Sequence, residues 1–220
     1  MKLYKCNEYN KIRLGGKYDG GYVILDGLEY DFIIGCGVKN DVSFENMFVD
    51  KYKCDSLLFD GTIDKAPSKS KNLDGTCLFF NHNWINQNVF CGTLDPYLCD
   101  KKNIFLKMDI EGAEWDVFKN INLENVSQMV VEFHSGFKYP KIDMDILNKI
   151  EETHYMVHIH GNNYRKAQIK VGEQVIHSVW EATYINKKYC KNVSQIEYEY
   201  NEELDAPNNP RWKEVKNMII

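Results

Sequence analysis

The chain contains no Lys/Arg run longer than two residues, and its only arginines are Arg13, Arg165 and Arg211. Its formal net charge is −5 and its pI is near 5.7. Such a surface gains little from releasing counterions on a phosphate backbone, which argues against nucleic acid as a partner. No stretch approaches the ~20 consecutive apolar residues that a membrane span needs. The opening MKLYKCNEYN also lacks the apolar core of a secretory signal, so no membrane partner is expected. The seven cysteines include no C-x-x-C pair, which counts against a zinc ribbon or a dithiol redox motif. An odd set lying partly in apolar runs reads as reduced, buried, structural thiols, with the cytoplasm as the expected location. Internal repeats and low-complexity linkers are absent as well. The remaining expectation is one domain over residues 1–220, with an N-terminal segment (1–30) and a polar tail (201–220). A homo-oligomer stays open.

What is present is an alternation of short apolar runs with helical patterns. The runs Phe32–Cys36, Ser56–Asp60, Cys77–Phe80, Ile104–Ile110, Gln128–Phe133, Met156–His160 and Val179–Ile185 read as strands. Val42–Lys51, Ala113–Lys119 and Ile142–Thr153 read as helices; in the last, Ile142, Ile146, Leu147 and Ile150 recur at helical spacing. Strands alternating with helices give βαβ units, hence a mostly parallel sheet with helices on both faces. The final two runs are joined without a clear helix, so the last strand is expected to be antiparallel. The predicted fold is α/β, Rossmann-like and seven-stranded.

Open parallel sheets bind ligands beyond the carboxyl ends of their strands. The run FIIGC leads straight into Gly35-Cys36-Gly37 and then a polar stretch, with Asp41 and Ser43, that opens a helix. A third glycine at dinucleotide spacing is missing, so the turn is a poor pyrophosphate cradle. About twenty residues on, the second core strand ends in Asp60-Gly61, where an acidic side chain suits the hydroxyls of a ribose. A short glycine turn with acidic strand ends fits a cationic, phosphate-free adenosine ligand better than NAD. S-adenosyl-L-methionine is that ligand. A nicotinamide oxidoreductase on the same fold is the rival that NAD binding would reveal.

The segment Leu106–Phe118, LKMDIEGAEWDVF, closely resembles the FkbM-type branch of class I S-adenosylmethionine methyltransferases. Other elements are similar to the same branch: Arg13–Ile24, Ile33–Glu45, Thr93–Asp95, Val130–His134, His158–Asn163 and Leu204–Pro210. The resemblance implies methyl transfer, mostly O-methylation of sugars or other hydroxyl-bearing natural products. It also implies cofactor or substrate contacts for Lys17, Asp19 and Gly20, a segment that by pattern alone reads as a hairpin turn.

Methyl transfer to a hydroxyl requires a group that holds the acceptor oxygen and removes its proton. Asp109 and Glu111 flank the end of the fourth strand and share a face if both are extended. Glu132 and His134 repeat the spacing on the fifth strand, and His158 and His160 on the sixth, followed by Asn162 and Asn163. If the last strand is antiparallel, its start brings Glu181 to the same rim. Burying so many polar groups without a ligand is costly. His134 is the leading base candidate, since an imidazole with a pKa of ~6.5 accepts a proton near neutrality. Asp109, Glu132 and Glu111 are its candidate partners, although Glu111 also reads as a cap for the helix near Gly112. His160, Asn162, Asn163 and Glu181 are placed with the substrate, and His158 with His160 forms an H-x-H that is structural or metal-binding. Tyr18, Trp84 and Trp115 stack on a ligand or fill core.

The resulting expectation is an O-methyltransferase acting on a carbohydrate hydroxyl, of a nucleotide-activated or glycan-precursor sugar. The alternatives are a non-catalytic S-adenosylmethionine-binding protein of the same fold and a metal-dependent O-methyltransferase acting on a non-sugar small molecule. In a metal-dependent enzyme, Asp109, Glu132 and His134 would hold a divalent ion. Sequence favours the metal-free mechanism only weakly and does not separate the two.

Overall fold

A computed structural model describes residues 1–63, 67, 94, 98, 101–136, 138–164 and 167–220. In chain order, β1 (Leu3–Cys6), β2 (Asn10–Gly15) and β3 (Gly21–Asp26) precede the glycine-turn strand β4 (Phe32–Cys36). Helix α1 (Ser43–Tyr52), β5 (Asp55–Phe59), β6 (Ile104–Met108), α2 (Glu114–Asn120) and β7 (Val126–His134) follow. The C-terminal part comprises α3 (Met144–Thr153), β8 (His154–Gly161), β9 (Gln168–Val171), β10 (Gln174–His177), β11 (Val179–Asn186) and β12 (Val193–Ile196).

The described strands form one large mixed sheet in the order β12-β1-β8-β11-β7-β6-β4-β5, beside two hairpins, β2-β3 and β9-β10. The central strands β5, β4, β6 and β7 run parallel, and β11 runs antiparallel between β7 and β8, as expected. These strands read as continuous apolar runs because both faces are covered. Ile34, Leu106, Met129 and Val131 face α2 and α3, whereas Ile33, Phe105 and Val130 face α1 and the β2-β3 hairpin. The helices therefore lie on both faces.

The sheet departs from expectation in strand count. It holds eight strands among the described residues rather than seven, because β1 and β12 extend it beyond β8. These outer strands, LYKC and VSQI, carry polar residues on an exposed side and so lack a continuous apolar run. β11 is consequently not the last antiparallel strand. The expected strand Cys77–Phe80, Trp84 and the Thr93–Asp95 segment lie outside the described residues, apart from Leu94.

The thiol expectation also needs correction. Cys6 and Cys190 form a disulfide, with Cα atoms 5.7 Å apart. The pairing of β1 with β12 brings them together, since Cys6 lies opposite Val193. Cys36 and Cys54 are free and buried, as expected. Disulfides persist mainly in oxidising compartments, so thiol usage no longer supports a cytoplasmic location. Among the described residues no helix is long and apolar enough to cross a membrane.

The C-terminal tail is polar yet folded onto the domain. Ile219 exchanges backbone hydrogen bonds with Val175 of β10, Met218 joins the core, and Asp205 and Asn208 are buried.

Candidate active site

On the cofactor side, Gly37 donates its N–H to Phe59 O of β5 (2.8 Å), and Asp109 donates to Cys36 O of β4 (3.0 Å). Gly37 has φ +78°, and a Cβ there would fall 1.6 Å from Asp109 O, so only glycine fits this approach. A Cβ on Gly35 would press on Leu58 and Glu45. Cys36 offers backbone alone, because its side chain is buried and burial pushes the thiol up to about 12. Asp41 accepts Ser43 N–H (2.8 Å) at the start of α1, and the Ser43 hydroxyl oxygen is buried without a hydrogen-bond partner among the described residues. Asp60 follows β5 and accepts Lys39 N–H (2.6 Å), Thr62 N–H (2.7 Å) and the Thr62 hydroxyl (2.6 Å). Burial opposes ionisation of Asp60, but these donors hold its carboxyl below the usual range. Gly61 sits buried in the same turn. The donor set is two carboxylates, an unpartnered hydroxyl and close-packed glycines. Among the described residues this set fits a cationic adenosyl ligand better than a pyrophosphate.

Sequence reasoning passed over Lys107. Its ammonium is buried in the middle of β6, donates to Gly37 O (2.6 Å) and lies 3.8 Å from buried Glu45. The signal was available as a lone lysine inside the otherwise apolar run IFLKM.

On the acceptor side, one ligating atom each of Asp109, Glu132 and His134 lies within 4.8 Å of the others. Asp109 follows β6, while Glu132 and His134 share a face of the neighbouring strand β7. Tyr22 of β3 donates its hydroxyl to Asp109 across a long 3.5 Å contact. Burial raises the Asp109 carboxyl, partly offset by Lys107 and His134. Glu132 is raised much further, first by burial and then by Asp109, Glu181 and Asp19. Its Oε1 accepts the Asn162 amide (2.9 Å).

Glu111 is corrected in two respects. It takes φ +56°, so it does not continue the strand's alternation beside Asp109. It does not cap α2 either; it binds Lys39 Nζ (2.8 Å) and accepts the Tyr139 hydroxyl (3.0 Å), half exposed at the mouth. The backbone donors are met instead by Glu114, which is fully buried. Glu114 accepts N–H groups from Ile110 (2.9 Å) and Gly112 (3.0 Å) and lies 3.1 Å from His134 Nδ1. Burial alone would lower the His134 pKa, but the bond to Glu114 and the charges of Glu114, Asp109 and Glu111 raise it. The fold therefore keeps this imidazole protonated to higher pH than a free histidine. Trp115 is core: it packs against Phe133 and Trp180 and donates to His134 O (2.7 Å).

The remaining candidates meet the tail. The Asn163 amide donates to Asn209 O (2.9 Å), and its oxygen accepts Asn209 N–H (2.7 Å). Glu181 accepts the Asn208 amide (2.7 Å), which also reaches Asp19 at 3.5 Å. His160 is 1% exposed and lies between Glu214 (3.3 Å) and Glu181 (3.6 Å). Burial disfavours its charge, yet these two carboxylates override it and raise its pKa to about 10. In this conformation His160 secures the tail rather than facing a substrate. His158 pairs with Asp205 of the tail at 2.9 Å, so the H-x-H is not presented as a metal pair. Lys17, Tyr18 and Asp19 are exposed on the β2-β3 turn, where Gly20 (φ +76°) approaches Asp41. Asn208 is a rim residue that pattern reasoning had no means to find.

An open α/β sheet with a glycine turn and carboxylates at its strand ends defines an enzyme of the nucleoside-cofactor class. The Methyltransferase FkbM domain family matches residues 28–165, more than half of the chain, which therefore belongs to the FkbM methyltransferases and uses S-adenosylmethionine as methyl donor. No curated protein matches the chain. The matched region contains Gly35, Asp60, Asp109, Glu132 and His134; the β2-β3 turn, Glu181 and the tail lie outside it.

Proposed function

We propose that the chain methylates a hydroxyl of a carbohydrate, with the acceptor held at the Asp109/Glu132/His134 group. The observation carrying this reading is that group's placement. It sits one hydrogen bond from the glycine turn, through Asp109 N–H to Cys36 O, and is bordered by Asn162, Glu181, Asn208 and Asp19. A wall of amides and carboxylates suits a polyhydroxylated acceptor, whose every hydroxyl both donates and accepts. We read the sheet as the Rossmann-like class I arrangement.

When bound, S-adenosylmethionine supplies an electrophilic methyl on a sulfonium. Gly35–Gly37 would hold the adenosyl and methionyl parts, and Asp60 would bind the ribose hydroxyls. The Asp109/Glu132/His134 group orients the acceptor oxygen behind the methyl and takes up the hydroxyl proton, a contribution of about 10²–10⁴ in rate. Calorimetry with S-adenosylhomocysteine, beside NAD, tests the cofactor. Methyl transfer to glycosides and nucleotide sugars tests the acceptor class. Replacement His134→Ala leaves S-adenosylhomocysteine affinity nearly intact and lowers turnover roughly tens-fold or more. Unchanged turnover removes His134 from the reaction. Cofactor binding without transfer to any hydroxylated acceptor points instead to a non-catalytic binding protein.

A further inference from the structure

We infer that Asp109, Glu132 and His134 form a divalent-cation site, with Glu114 as the carboxylate that orients His134. The three donors come from adjacent strand ends of one sheet, within 4.8 Å of one another, so packed elements rather than long loops set their separation.

A second observation concerns the imidazole. Glu114 is fully buried and already accepts two backbone N–H groups, so it presents an acceptor to Nδ1. That fixes Nδ1 as the N–H nitrogen of the neutral ring and leaves Nε2 facing Glu132 and Glu111, with Asp109 in the same cluster. Nε2 has no hydrogen-bond partner among the described residues. Its nearest carboxylate oxygens, of Glu111 and Glu132, are each 3.6 Å away, and the side chain is 5% exposed. A ring nitrogen of a buried histidine, without a hydrogen-bond partner among the described residues and facing two carboxylates, with a further carboxylate behind the ring, is the carboxylate–histidine–metal arrangement.

Charge points the same way. Glu132 lies opposite Glu181 across the β7–β11 ladder and near Asp109, and the neutral Asn162 amide is its one hydrogen-bond donor among the described residues. Lys107, the nearest buried ammonium, is committed to Gly37 O and Glu45. Buried carboxylates at such density are stabilised by a cation. Among the described residues the other cluster of ligand type, Cys6, Glu8 and Cys190, has its two sulfurs joined to each other.

Two carboxylates and one imidazole select an ion of the Mn²⁺ or Mg²⁺ kind and leave coordination positions for water and an acceptor oxygen. When bound, the ion would lower the pKa of a coordinated hydroxyl, whose proton would pass to solvent, with His134 then a ligand and not the base. That role rests on the O-methylation reading, but binding of the ion does not.

The test uses the full chain stripped with EDTA and titrated with Mn²⁺ by electron paramagnetic resonance and calorimetry. The expected result is one Mn²⁺ per chain, with Asp109→Asn, Glu132→Gln and His134→Ala each weakening it by roughly tenfold or more, and Glu114→Gln by about 10- to 100-fold. Glu8→Gln leaves the stoichiometry and affinity unchanged. Paramagnetic broadening of the His134 ring signals in the unsubstituted protein gives a readout that depends on no variant's folding. Absence of Mn²⁺ binding, or binding that leaves His134 sharp, overturns the site. Methyl transfer that persists with no ion bound overturns the ion's catalytic role and leaves the methyltransferase reading intact. Mn²⁺ binding at these residues without transfer to any hydroxyl keeps the site and removes the O-methylation reading.

Discussion

Glu132 and Glu181 stand opposite each other in the β7–β11 ladder, a position where like charges destabilise a sheet. The folded protein raises the Glu132 pKa above its unfolded value. The folded state thus retains a proton that the unfolded chain releases above about pH 4.3. Stability therefore falls as pH rises from there through the folded pKa. In EDTA at pH 8, Glu132→Gln is expected to raise stability by about 1 kcal/mol or more while abolishing most activity. Denaturant midpoints of both proteins check this, and a Gln variant no more stable than the parent contradicts it. Glu132 and His134 were legible because strand alternation places i and i+2 on one face. Glu114 was not, since its reach back to His134 depends on the left-handed Glu111 and on Gly112, a reversal that residue spacing does not encode. Glu114→Gln also lowers the His134 pKa toward the ordinary histidine value, measurable by NMR titration in EDTA.

At the scale of elements, helix α3 and the tail behave differently. Helix α3 was legible from its apolar spacing, and the structure adds its cap: Asp143 accepts N–H groups from Asp145 and Ile146. Asp143→Ala is expected to cost about 1 kcal/mol with no change in cofactor affinity, read by denaturation and calorimetry. The tail was illegible because its contacts are amides and carboxylates, which carry no hydrophobic period. His160 is its anchor, facing Glu181 of β11, Glu214 of the tail and, more distantly, Asp205, with His158 nearby. Its folded pKa of about 10 exceeds the unfolded value near 6.5. The protonated ring thus contributes stability fully below about pH 6.5, and this is lost as pH rises toward 10. Against His160→Gln, the wild type is expected to lead by about 3 kcal/mol at pH 6 and to converge by pH 10.5. Parallel stability curves would separate His160 from the tail's attachment.

At the scale of the molecule, the order of the central sheet was legible, since parallel strands buried on both faces announce themselves as apolar runs. The sheet's far edge was not, because β1 and β12 recognise each other across nearly the whole sequence. The Cys6–Cys190 bond spans 184 residues and ties the two ends around the family-matched region 28–165. Closing a loop of that length in the unfolded chain is worth about 2–5 kcal/mol, with the loop-entropy account favouring the upper end. Reduction, or the Cys6→Ser/Cys190→Ser double variant, is therefore expected to lower stability by that amount. β1 is separated from β7 by β8 and β11, so S-adenosylhomocysteine affinity at 25 °C should not change. Peptide mapping without reductant should recover Cys6 and Cys190 in one cross-linked species. Two free thiols there would restore the reduced-cysteine reading and leave the β1–β12 pairing to hold the ends of the chain by hydrogen bonds alone.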